Sequence, residues 1–393
     1  MARLLPALLI IVTTALTAIA VAYVVAGPGL ALEVMAVSGL AFIAWRAVPL
    51  QEAAVPHAIV PYLGIVIVGL LLAAAQYWSG FAAHLEAEVP ALFSVHYGST
   101  EVVWLLASVI APTTLMLVGG YFFVRNHPLG HYLVWWTVGF AVVSSIVQWG
   151  VEFGTGAYEH NYYVGTLAAV AELGLGIVGW LRLVDRRIER PPPARAEDRR
   201  ATNLWTMLFL AFGLIYGVML FTEAGLLPVG VIVGSMVGGI MAWRRTTAHA
   251  PADPVKLLPL YLLMLGLFYF HVAEETLTGF NHAIAAITGT PWDTPEFTYF
   301  IVLIGPAIWV AGGISLWLRQ PFGNFILWFM IIGMILGEPT HLVVFPVIAM
   351  FKYGIGYSYF SGMFTALFPM IPAILAAVAI VSDSRAQRSV SAS

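Results

Sequence analysis

The sequence predicts an all-α integral membrane protein of about twelve transmembrane helices, arranged as two tandem parallel six-helix repeats. Three observations predict it. Of 393 residues, 61% are hydrophobic and 9% charged, too little charge to solvate the exterior of a soluble domain of this size. Uncharged runs of spanning length recur, among them 4–32, 102–124, 297–318 and 353–382; about 20 apolar residues cross a hydrocarbon core of about 30 Å. Short words also recur in order, offset by about 193 to 198 residues: Ala44-Trp45-Arg46 with Ala242-Trp243-Arg244, Ala111-Pro112 with Gly305-Pro306, and the run from Pro128 with the run from Pro321.

Each element follows from these runs. Backbone in lipid must satisfy its own hydrogen bonds, so the runs are helices; their unbroken apolarity excludes the alternating strands of a barrel. The first repeat, 1–184, holds spans at 5–26, 30–46, 58–80, 100–124, 129–152 and 164–184. Its opening span could pass for a signal peptide, but its length and its internal counterpart read as a retained helix. A basic linker, 185–201, follows; it carries Pro191-Pro192-Pro193 within the arginine-rich stretch Arg182–Arg200. The second repeat, 202–384, holds spans at 203–222, 226–244, 257–276, 297–318, 323–347 and 356–381, leaving 385–393 as a tail. Pro112 and Pro306 fall mid-span, where a kink frees carbonyls that can line a cavity. Gly119-Gly120 and Gly312-Gly313 mark close helix contacts at equivalent places.

Charge orients the bundle. With both termini cytoplasmic, sixteen of the 17 Lys and Arg residues lie on the cytoplasmic side, Lys352 being the exception; this is the positive-inside pattern of a cell membrane. Thirteen of the 20 acids fall in or near the outer half, an acidic face that would attract cations or a basic partner. The basic linker answers to anionic lipid, not nucleic acid. The chain has no cysteine, which excludes disulfides, thiolate metal sites and cysteine nucleophiles. No P-loop, dinucleotide fingerprint or His-Glu-x-x-His word is present.

The chemistry concentrates in the second repeat. His271, Glu274 and Glu275 share a face near the outer end of the ninth span, about 22 Å along it at 1.5 Å per residue. The eleventh span brings Glu338 and His341, again three apart, to a similar depth, and Glu296 opens the tenth. Glu-x-x-His facing further carboxylates is the ligand pattern of di-iron and di-manganese bundles, and imidazole with carboxylate suits iron, manganese or zinc. The expected metal ligands are therefore His271, Glu274, Glu338 and His341, with Glu275 and Glu296 as further ligands or acid–base groups. Counting by the word offsets, Trp78 and Phe81 stand near the first-repeat places of His271 and Glu274, and Ser145 and Gln148 near those of Glu338 and His341. One repeat thus carries ionisable groups where the other does not.

The first repeat has an acidic outer set of its own: His84, Glu86, Glu88, His96, Glu101, Glu152, Glu159 and His160. Glu172 lies inside the sixth span among small and apolar residues, placed for proton relay or substrate binding. Three functions follow. One is a metal-dependent, oxidative membrane enzyme acting on a small hydrophobic substrate. A second is a proton- or cation-coupled transporter, since two parallel six-helix units resemble the gross plan of major-facilitator transporters. The third is a non-catalytic subunit of a membrane complex.

Overall fold

A computed structural model describes residues 4–48, 55–94, 100–155, 158–185 and 190–392. The chain divides into two compact units, Met1–Arg190 and Pro191–Ser393. Among the described residues regular structure is helical throughout, and twelve helices are long and apolar enough to cross a membrane. The chain is a polytopic helical membrane protein, and lipid is its solvent.

In the first unit the helices are α1 (Leu4–Ala26), α2 (Pro28–Ala47), α3 (Val55–Trp78), the short α4 (Phe81–Glu88), α5 (Thr100–Trp104), α6 (Ala111–Val124), α7 (Pro128–Thr155) and α8 (Tyr158–Asp185). A π-helical turn, Leu105–Ile110, joins α5 to α6. The second unit holds α9 (Arg199–Ala224), α10 (Leu226–Arg245), α11 (Pro254–Thr278), the short α12 (Phe280–Thr288), α13 (Thr294–Phe297), α14 (Ile304–Trp317), α15 (Pro321–Ile332), α16 (Val344–Tyr353) and α17 (Leu367–Ala392). A second π turn, Thr298–Leu303, joins α13 to α14. Between α15 and α16 a third, Gly333–Gly337, runs into the 3₁₀ turn Glu338–His341.

The π turns have one cause. Each ends two or three residues before a proline, Pro112, Pro306 or Pro339. A proline ring clashes with the carbonyl four residues back and brings no N–H to bond it, so an α-turn cannot close there. The helix widens instead, and the freed carbonyls find other donors. Val302, four residues before Pro306, accepts the Tyr269 phenol at 2.7 Å, and Phe300 accepts that of Tyr216 at 3.3 Å.

Three elements position the cluster. Asp253 caps α11, its side chain accepting from Val255 N–H at 3.3 Å, with Pro254 at the first helical position. At the other end Gly279, at φ 66°, reverses the chain into α12. The Pro339 disturbance splits the expected eleventh span, 323–347, into α15, two irregular turns and α16. The expected twelfth span, 356–381, is corrected too: residues 355–366 are turns and irregular chain, and the helix begins at Leu367. The expected tail, 385–393, continues α17 as helical backbone to Ala392.

Candidate metal centre

His271 and Glu275 occupy successive turns of one face of α11, while Glu338 and His341 open and close the 3₁₀ turn, where residues three apart eclipse. All four side chains are buried, with exposures of 1%, 4%, 6% and 6%. Nε2 of His271 lies 3.0 Å from Glu338 Oε2 and 3.5 Å from Glu275 Oε1. Nε2 of His341 lies 3.4 Å from the same Glu275 oxygen. The two imidazoles stand edge to face, centroids 4.7 Å apart at 89°. Among the described residues, His271, Glu275 and His341 form a three-residue group whose ligand atoms all lie within 4.8 Å of one another, a set that could hold a metal ion.

The remaining ring nitrogens fix the tautomers. Nδ1 of His341 bonds the Ser361 carbonyl at 2.8 Å, so it must carry the proton. Thr365 Oγ1 gives its single hydrogen to Glu274 Oε2 at 2.6 Å, so at the 3.0 Å contact with His271 Nδ1 it accepts. With both rings neutral, each turns an unprotonated Nε2 toward a carboxylate. In that state four acceptors face one another, and a proton or a metal ion is needed to join them. His271 Nε2 and Glu338 Oε2 are in fact buried without a hydrogen-bond partner despite their proximity. Buried groups in that condition are costly unless a cation joins them.

The irregular run 355–366 supplies the supporting shell. Gly362 sits at φ 82° where its chain passes against both imidazoles. A Cβ there would lie 2.5 Å from His341 Nδ1 and 2.8 Å from His271 Cε1. Phe280 stacks on His341 at 4.8 Å.

The structure brings together His271, Glu338 and His341, as the spacing suggested, with Glu275, expected as a further ligand or an acid–base group. Glu274 is not brought in. It turns from the four toward residues 359–365, where Tyr359 Oη donates to Oε1 at 2.7 Å, Phe364 N–H at 3.1 Å, and Thr365 N–H donates to Oε2 at 2.8 Å. Burial and that bond hold the Tyr359 phenol above its ordinary pKa. Glu296 lies on α13, away from the four, with Oε2 buried and unpartnered among the described residues. Glu172 is buried in the first unit, accepting from Ser144 Oγ at 3.3 Å. Of the first unit's acidic set, Glu86 accepts the Thr100 hydroxyl. His96, and the side chains of Glu152, Glu159 and His160, lie outside the described residues.

Ser361, Gly362 and Thr365 were not anticipated, because 356–381 reads as one apolar span. The signal was the polar, glycine-bearing word Ser358-Tyr359-Phe360-Ser361-Gly362, which is poor helix material. Compared with protein-family models, with curated proteins and with solved structures, the chain finds no match in any of the three.

Proposed function

We propose that the second unit holds a single divalent metal ion on His271, His341 and Glu275, with Glu338 beside it, and that the chain is a membrane-embedded oxidative enzyme for a small hydrophobic substrate. The separations carry this reading. An ion about 2.1 Å from its ligands holds neighbours about 3.0 Å apart at a right angle and about 3.4 Å apart at a tetrahedral one. The two histidine nitrogens lie 3.5 and 3.4 Å from the shared Glu275 oxygen, near the tetrahedral spacing, and all three ligand atoms lie within 4.8 Å of one another. Two histidines and one carboxylate with open positions are the ligands of non-haem ferrous oxygenases, so iron is preferred over manganese and zinc. The shared Glu275 oxygen favours one ion over the two of a di-iron site. Nδ1 bonds to a carbonyl and a hydroxyl are the outer-shell support such ligands need. Iron-loaded protein given a membrane-lipid extract is expected to consume dioxygen, whereas zinc-loaded protein and His341→Ala are not; equal uptake by all three would refute the reading.

The same reading takes the chain as a duplicated six-helix unit with both termini cytoplasmic. Paired details support the duplication. Tyr62 Oη donates to the Met116 carbonyl, and Tyr261 Oη to that of Trp309. Asn126 and Arg319 have φ 54° and 55°. Gly80 and Gly279, at φ 68° and 66°, each open a short helix. A Cβ on Gly130 would strike backbone at Phe123, and one on Gly323 backbone at Leu316. These pairs set an offset of about 199 along α3 and α11, and about 193 from α6 and α14 onward. The partners of His271, Glu274 and Glu275 are then Leu72, Ala75 and Gln76, which corrects the places near Trp78 and Phe81 that the word offsets gave. Ser145 and Gln148 remain the partners of Glu338 and His341.

The transport reading rests on Glu172, a carboxyl at 1% exposure with a serine for company. It requires proton-coupled uptake that Glu172→Gln abolishes, with His341→Ala unaffected.

A further inference from the structure

Beside the four clustered side chains the second unit encloses a cavity of about 120 Å³. His271, Glu275, Glu338 and His341 form part of its wall, and apart from Ser235 and Thr340 the rest is apolar. Neither of those hydroxyls has a hydrogen left to donate to a ligand. Ser235 Oγ donates to the Val231 carbonyl at 2.7 Å, and Thr340 Oγ1 donates to that of Gly337. Aromatic rings line the chamber edge to face: Phe268 against Trp309 at 5.2 Å and 74°, Phe280 against Trp292 at 6.1 Å and 70°. Two further lining residues, Val231 and Ile232 on α10, are only half-buried, so the cavity reaches the outer face of that helix.

These features select a ligand. Among the described residues, away from the four clustered side chains, the only buried unpartnered side-chain polar group of the wall is the Trp292 indole N–H. A polar molecule there would recover little of its lost hydration. A whole lipid is far too large: an apolar cavity of about 150 Å³ holds one benzene. Edge-to-face aromatic walls favour another ring in the same arrangement. We infer that the chamber binds a single apolar ring, or an equally compact apolar group, delivered from the bilayer past Val231 and Ile232 and selected by shape. That this group is a substrate rests on the metal-enzyme reading; that it binds does not.

The test uses the full chain in lipid nanodiscs with fluorobenzene as the probe, observed by ¹⁹F NMR. A saturable bound resonance, separate from the lipid-dissolved pool, is expected. Ile232→Trp should block it, weakening binding at least tenfold, while Ile371→Trp, on a surface position at 60% exposure, should not. Ser235→Met, which intrudes on the same chamber with a smaller side chain, should weaken it as well. No saturable resonance, one unchanged in Ile232→Trp and Ser235→Met, or one displaced by tetramethylammonium would overturn the inference. Metal content measured on the same samples keeps the two readings apart. Fluorobenzene bound by a protein that takes no metal would refute the centre and support the chamber. Metal bound by a protein that takes no fluorobenzene would do the reverse.

Discussion

In the first unit Gln76 donates through Nε2 to Gln148 Oε1 at 2.5 Å, and Ser145 Oγ lies on two helix carbonyls, 2.7 Å from Ala141 and 3.1 Å from Ala169. In the second unit the proposed partners of these residues are Glu275, His341 and Glu338, which face one another as acceptors. The difference is one of hydrogen-bond stoichiometry. An amide carries both donors and acceptors, so two of them close on each other; a carboxylate and an unprotonated imidazole nitrogen only accept. In the first unit the polar pair is complete, on an α7 that runs unbroken through Ser145 and Gln148. In the second, π and 3₁₀ turns at Pro339 present a set that a metal ion would complete on the proposed reading. Leu72 in place of His271 finishes the contrast by removing the fourth acceptor.

Substitutions that break this contrast are expected to fall in order of size. Glu275→Gln or His341→Ala should weaken metal binding by more than about 100-fold, since each removes a ligand outright and outer-shell losses alone cost about 10–100-fold. Gln76→Ala and Gln148→Ala in the first unit should leave metal titrations unchanged; an effect equal to that of Glu275→Gln would mean the units do not differ as described. Gly362→Ala comes next. Its Cβ collides with both imidazoles and its φ of 82° disfavours any side chain, so affinity should fall about 10–100-fold with a lowered melting temperature. Wild-type affinity in this variant would show that the chain does not press against the rings.

Thr365→Val removes the hydroxyl that joins His271 to Glu274 and fixes the ring's tautomer. A loss of about tenfold is expected, with Thr365→Ser restoring it; failure of serine to rescue would assign the effect to packing. Tyr359→Phe deletes one of four hydrogen bonds to Glu274 and should cost only about 1 kcal/mol in thermal stability, with metal affinity nearly unchanged. A large loss of metal in that variant would place Glu274 closer to the ion than the structure does.

Much of this was legible in the sequence, for reasons that differ by scale. Spans were visible because lipid forces long apolar runs. The pairing of His271 with Glu338 and His341 was visible because ionisable groups are rare in such runs and helical spacing places them. Two things were not visible. Glu274 and Glu275 are adjacent, so periodicity sees both near His271, and only the donors of residues 359–365 decide which of them turns outward. Those donors were hidden because 356–366 is apolar enough to read as helix although it folds as irregular chain. Pro339 was readable as a helix disturbance, but the direction in which the resulting π and 3₁₀ turns aim Glu338 and His341 is set by packing that no periodicity encodes.

Anomalous scattering from crystals of the iron-loaded chain tests the central claim most directly. A single peak is expected about 2.0–2.2 Å from Nε2 of His271, Nε2 of His341 and an oxygen of Glu275. Two peaks, a peak bonded to Glu274 instead, or no peak among these side chains would contradict it.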